Sequence, residues 1–256
     1  MSKRGQVTIF IIIAIVIVAA AVVIYLFWPK IKTTFVQTSD PKGFIEDCLN
    51  PELKKNVELI SKQGGSLNPT SSVMYKNDKV SYLCYTSDYY LNCYMQKPLL
   101  KQNIEEEIKN SIKSKVDSCF QDLKNDLENR GMTVTVSEKD FDVELFPGRI
   151  RTAINYEIVT TSSGTTNNYK NFNVDLKSNE YDLVSVATSI ANWEARYGDA
   201  EVTIYMAYYP NIKVEKNKLN DGSKVYVITD RNTKEEFKFA SRSGVLPAGY
   251  AANQIQ

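Results

Sequence analysis

The chain contains no histidine among its 256 residues. That removes the side chain most often used as general base and metal ligand near neutral pH, and with it Ser-His-Asp and Cys-His catalysis. No G-x-x-x-x-G-K-[ST] phosphate loop occurs, and Gly64-Gly65 reads as a helix stop. None of the four cysteines is spaced as C-x-x-C, which argues against a zinc or dithiol redox site. The sole N-x-[ST] triplet, Asn68-Pro69-Thr70, carries the proline that blocks N-glycosylation. Charge of one sign is also missing. Taking Lys3 and Arg4 from 31 basic residues leaves 29 against 30 acidic ones, so no nucleic-acid partner is expected, because phosphates demand a concentrated basic surface. No cofactor is expected, and an enzyme built from this chain would have to work with carboxylates, lysines or tyrosines.

What the chain does have begins with an uncharged run, VTIFIIIAIVIVAAAVVIYLFW, from Val7 to Trp28. A bilayer core needs roughly 20 apolar residues in a helix, since hydrocarbon leaves the backbone no other partner. The run therefore predicts one transmembrane-type helix over residues 6–28, behind a basic tip at 1–5 and ahead of a connector at 29–40. Lys3 and Arg4 on one side nearly balance Lys30 and Lys32 on the other, so the positive-inside rule does not decide the orientation. The apolar run makes a lipid bilayer the expected partner, and the cysteines favour a cytoplasmic N-terminus and an external C-terminal domain. Cys48, Cys84, Cys93 and Cys119 all lie in the first half of the remainder, and an even number outside the membrane suggests two disulfides, with buried thiols as the alternative.

The remainder divides by periodicity. Ser39-Asp40-Pro41 is a helix-start signal, and Phe44, Cys48, Val57 and Ile60 follow at helical spacing, with Pro51 as an expected break. Tyrosine-rich strands near Val80–Tyr85 and Leu91–Gln96 flank a Ser87-Asp88 turn and set Cys84 opposite Cys93. From Leu99 to Asn129, the residues Ile104, Ile108, Ile112, Val116, Phe120, Leu123 and Leu127 form one helical stripe. Cys119 lies beside that stripe and is paired with Cys48, stapling two helices. Residues 41–131 thus read as a helical part with a hairpin.

Beyond Gly131 the period becomes two. Strands are expected at Thr133–Val136, Phe141–Leu145, Ile150–Val159 and Tyr169–Leu176. A helix from Leu183 to Tyr197 follows, with Leu183, Val186, Ile190, Trp193 and Tyr197 facing inward. Val202–Tyr209, Lys224–Thr229 and Glu236–Ser241 complete an antiparallel sheet spanning 132–243, with 244–256 as a small polar tail. The expected class is α+β: the N-terminal helix, then a soluble ectodomain of antiparallel strands with about three helices.

Two groups of side chains suggest chemistry. Asp140, Asp142 and Glu144 alternate with Phe141, Val143 and Leu145, so the carboxylates project from one strand face and could hold a hard cation such as calcium. The same alternation is what a half-buried strand needs for its solvated face. Around the hairpin, Tyr82, Tyr85, Tyr89, Tyr90 and Tyr94 could form a contact patch, since aromatic residues with a polar tip are favoured at interfaces. Strand residues packed on their neighbours would show the same composition.

Lys3-Arg4-Gly5-Gln6 stands directly before the apolar run, with no small-residue cleavage site after it. Arg4, Gly5 and Gln6 followed by the apolar segment resemble the class III signal of archaeal type IV pilin-like proteins. The resemblance implies cleavage after Gly5, retention of the apolar helix, self-assembly through it into a filament core, and a globular domain outside. The family's glutamate five positions after the cut is here Phe10. GQVTIFIIIAIVIV with the later Cys48-Leu49, Gln63-Gly64-Gly65 and Phe237-Lys238-Phe239-Ala240 also resembles uncharacterised anchored proteins of small-genome archaea. The leading expectation is a non-enzymatic surface protein, either a pilin-like filament subunit or an uncleaved single-pass protein presenting a binding or adhesion domain to an unidentified ligand.

Overall fold

The computed structural model describes residues 14, 16–18 and 40–247, and the chain divides into two compact units, Met1–Pro41 and Lys42–Gln256. The expected membrane helix is corrected: among the described residues no helix is long and apolar enough to cross a membrane. Within Val7–Trp28 only Ala14, Val16, Ile17 and Val18 are described, and they are helical and exposed. The rest of that segment, the Arg4-Gly5-Gln6 junction, Phe10, most of the connector and the end of the tail lie outside the described residues.

The second unit is α+β, with four helices where about three were expected, and one of its sheets is mixed rather than antiparallel. Helix α1 spans Pro41–Lys62. Ile45, Leu49, Leu53, Val57 and Ile60 are buried at three- and four-residue steps. Pro51 does not break it. The proline lies on the exposed face, and its cost of ~3 kcal/mol is matched by burying Leu49 and Leu53 beside it, at ~1.5–3 kcal/mol each. Gly64 and Gly65, both at positive φ, then turn the chain. A Cβ on Gly65 would stand 2.9 Å from Ile104, so the close approach of the next helix requires glycine.

Helix α2 covers Leu100–Asn129 and buries the whole stripe read from its sequence, from Ile104 to Leu127, together with Cys119. It lies against a sheet of β4 (Thr133–Ser137), β5 (Phe141–Phe146), β6 (Arg149–Ser162) and β7 (Thr165–Lys177). β6 pairs with β7 along one edge, while β5 and then β4 share its other edge. Ser163 and Gly164, both at positive φ, make the β6–β7 turn, the backbone twist that two-residue hairpins favour.

The first sheet runs β1 (Ser72–Tyr75), β2 (Asp78–Tyr85), β10 (Glu236–Arg242), β9 (Lys224–Asp230), β8 (Ile212–Lys218), with β3 (Tyr94–Met95) also on β2. β2 and β10 are parallel, Tyr82 opposite Ala240 and Cys84 opposite Ser241. This pairing joins residues 41–131 to 132–243 in one sheet, although the sequence separates them as two parts. β1 and β8 were not foreseen, and β3 replaces the longer strand expected at Leu91–Gln96.

Helix α3 (Glu180–Tyr197) packs on strands of both sheets. Leu183, Val186 and Ile190 face inward as expected, but Trp193 and Tyr197 are 44% and 55% exposed. Glu194 is buried in their place, because the inward stripe rotates past Trp193 at 3.6 residues per turn. The segment Val202–Tyr209, expected as a strand from its β-branched and aromatic composition, contains instead the short helix α4 (Thr203–Tyr208), packed on β8.

Candidate functional site

The tyrosine-rich segment after β2 is an irregular loop fastened at several points. Cys84 and Cys93 close it with a disulfide, and Cys48 is bonded to Cys119 between α1 and α2. These are the two pairs expected. Loop backbone bonds run from Thr86 N–H to the Arg242 carbonyl, from Tyr90 N–H to the Val245 carbonyl, and to the Leu91 carbonyl from Gly244 N–H. The Asn92 amide donates to the Arg196 carbonyl at the end of α3. Arg242 donates to the Thr86 carbonyl at 2.7 Å, with its guanidinium 5.4 Å from the Tyr89 ring centre, a cation–π geometry.

Held in this way, Tyr89, Tyr90, Leu91 and Tyr94 are 50%, 56%, 47% and 68% exposed. Two of the expected patch residues differ. Tyr82 is buried, bonded through its hydroxyl to Ser223 at 2.8 Å, and Tyr85 is half-buried with its ring centre 4.8 Å from that of Tyr82. Both lie on β2, Tyr82 in the core and Tyr85 packed against it; the exposed patch belongs to the loop and to Tyr94 at the start of β3.

Beneath the loop is a closed polar network that sequence reading missed. Glu194 has no exposed surface. One carboxylate oxygen accepts from Ala200 N–H and the Tyr226 hydroxyl, the other from Ser241 and from Lys224 Nζ at 2.6 Å. Lys224 also donates to the Gly198 carbonyl and to Asp199. Ser243 accepts from Cys93 N–H and donates to the Glu194 carbonyl. Burial and the adjacent carboxylate push the Tyr226 hydroxyl well above the ordinary tyrosine range, keeping it a donor. The acids and bases here pair with one another, so the network positions the α3 C-terminus and the loop and leaves no group over for a substrate.

Asp142 and Glu144 share a strand face, exposed between buried neighbours, whereas Asp140 precedes the strand and accepts from Phe141 N–H. The cation beside them is an ammonium: Lys109 on α2 reaches Asp140 and Asp142 at 3.3 and 3.0 Å, and Glu144 is registered opposite Arg151. Among the described residues no cluster of three metal-ligating side chains occurs.

A second feature had no signal in the sequence. Glu180, at the first turn of α3, looks like an ordinary helix-start acid, yet it is 2% exposed and its Oε1 has no partner. It lines a cleft of about 690 Å³ between α1, the end of β7 and the β9–β10 turn. Burial is the main reason its carboxyl is pushed up to about 8; the nearby Glu235 raises it further, against a lowering hydrogen bond from Ser61.

The chain matches no family model, no curated protein and no solved structure.

Proposed function

We propose that this chain is a non-enzymatic cell-surface structural protein, a pilin-like subunit that its apolar N-terminal segment holds at the membrane and joins to other copies, with the disulfide-bonded α+β domain facing outward. The observation that carries the surface reading is that all four described cysteines are bonded in pairs, a state kept in oxidising compartments and rarely in a reducing cytosol. The Arg4-Gly5-Gln6 junction and the uncharged run behind it support processing and assembly. Mass spectrometry of the protein from its native membrane is expected to find Gln6 as the first residue, and a first residue of Met1 or Ser2 removes the processing step. Assembly is tested separately by electron microscopy of sheared cell surfaces, where detergent-extracted monomer without fibres overturns it.

A second reading, an uncleaved surface protein with a binding domain, is favoured by the rigid exposure of Tyr89, Tyr90, Leu91 and Tyr94. Aromatic side chains held in place lose little conformational entropy on binding. An intact N-terminus with a partner footprint confined to this loop would select it.

A further inference from the structure

Helix α3 carries a second aromatic surface, distinct from the tyrosine loop that Asn92 fastens to its C-terminal end. Trp193 and Tyr197, which a core-facing helix would have hidden, lie against each other with ring centres 4.6 Å apart and planes tilted by 48°. At the other end of the same face, Tyr205, Tyr208 and Tyr209 of α4 and its exit border a cleft of about 610 Å³. This cleft adjoins another of about 390 Å³ beside Trp193, and the two share Ser185 and Ser189. Together they form one trough along α3. From Tyr181 to Tyr197 it follows a helix length of ~24 Å at ~1.5 Å per residue.

The lining defines the ligand chemistry. Tyr208 and Tyr209 are 78% and 53% exposed, aromatic faces with polar tips of the kind enriched at contact surfaces. The Tyr205 hydroxyl is held by Ser189 at 2.9 Å, which steadies α4 against α3. The amide side chains of Asn192, Asn211 and Asn232, which border the trough, have no hydrogen-bond partner among the described residues. Charge is scarce. Asp230 is occupied by the Asn179 amide and the N–H groups of Asn232 and Thr233, and Arg196 stands over the Tyr197 ring. Asp182 is the remaining charged group. The trough therefore offers flat ring faces, amides that both donate and accept, and almost no net charge.

We infer that the α3–α4 trough binds a neutral oligosaccharide, with pyranose C–H faces on the tyrosine and tryptophan rings and vicinal hydroxyls on the three amides. A ~24 Å helix face is long enough for a ligand of several sugar rings. A proline-rich peptide is the competing occupant for an aromatic groove; its carbonyls can accept from the three amides, but without N–H groups it leaves the amide oxygens unpaired, a cost for groups that binding desolvates. The inference stands whether or not the N-terminus is processed.

The test uses the full chain with Trp28→Phe, in a detergent without sugar headgroups, so that Trp193 is the only tryptophan. Probes are hexamers of β-1,4-linked N-acetylglucosamine, β-1,4-linked glucose and α-linked mannose, with decaproline as the peptide control. At least one hexamer is expected to shift Trp193 emission saturably at micromolar to low millimolar concentration. Calorimetry with that hexamer is expected to show at least tenfold weaker binding for Tyr208→Ala and for Asn211→Ala, and an unchanged affinity for Tyr94→Ala on β3, which does not line the trough. No saturable response to any hexamer at 10 mM, a tighter response to decaproline, or equal weakening by Tyr94→Ala overturns the inference. Circular dichroism of each variant confirms that a lost response is not lost folding.

Discussion

Replacing Glu180 by Gln isolates the energetic cost of a buried acid. The side chain is enclosed, and one oxygen finds no partner. Around it stand Lys54, Glu58 and Lys62 from α1, Lys177 from the end of β7, and Lys234, Glu235 and Glu236 from the β9–β10 turn. Its ordinary value of 4.5 is pushed up to about 8, first by burial, with Glu235 adding to it and Ser61 opposing. Below pH 4.5 the folded and unfolded chains both hold the proton, and the group contributes nothing. Between about 4.5 and about 8 the unfolded chain releases a proton that the folded chain keeps, so stability falls as pH rises, by about 1.4 kcal/mol per pH unit. Across the whole window the loss approaches about 5 kcal/mol, an upper value because water entering the cleft relieves part of the desolvation.

Gln has nearly the shape of the protonated acid and cannot ionise. Glu180→Gln is therefore expected to match the parent within about 1 kcal/mol at pH 5 and to exceed it by about 3–5 kcal/mol at pH 9. Urea unfolding under non-reducing conditions, followed by circular dichroism at pH 5, 7 and 9, measures the difference. Because every other titrating group is common to both proteins, the difference between the two pH profiles belongs to Glu180. Parallel profiles would refute the reasoning, showing that the carboxyl ionises in the fold at no cost.

Loss of the Cys48–Cys119 bond by a double change to Ser releases a closed loop with a sequence separation of 71; a destabilisation on the order of 4 kcal/mol is expected, read as a lower urea midpoint. Cys84–Cys93 closes a loop of separation 9, and its removal should cost about 2–3 kcal/mol while raising hydrogen exchange at Tyr89 to Leu91. Lys224→Ala strips the cation from buried Glu194 and should cost about 3–5 kcal/mol; if Lys224→Met with Glu194→Gln is no more stable than Lys224→Ala, the cost does not come from an unpaired charge. For the Asp140–Asp142 pair, calcium titration should leave the melting temperature unchanged in the parent. A calcium-dependent rise of several degrees would show a metal displacing Lys109.

Much of the fold is legible because its signals are short in range. The stripe from Ile104 to Leu127 repeats every three or four residues, and the two-residue alternation around Phe141–Leu145 marks a strand with one face buried; each follows from side-chain directions within a single element. The disulfide pairs are legible for a related reason: Cys119 lies next to its helical stripe, and Cys84 and Cys93 are close in sequence. Misreadings occur where a distant partner decides. Val202–Tyr209 has the composition of a strand, but strand composition reports a fit to a half-buried surface, and packing on β8 makes it helical. Trp193 and Tyr197 look like core residues until Glu194 is seen to take the inward position, which it can do only because Lys224, Tyr226 and Ser241 surround its carboxylate.

The candidate sites divide in the same way. Residue type and order alone set the absence of histidine chemistry, the near-neutral charge, the apolar run with its Arg4-Gly5-Gln6 junction, and the cysteines available for pairing. Tertiary structure decided that β2 would lie parallel to β10, that Tyr82 would be core while Tyr89 and Tyr94 stayed at the surface, that Lys109 would occupy the acidic strand face, and that Glu180 would be buried with one carboxyl oxygen unpartnered. Periodicity and covalent pairing act within or between single elements. The partner of a buried polar group, and the face an aromatic ring finally shows to solvent, depend on side chains brought together from far along the chain.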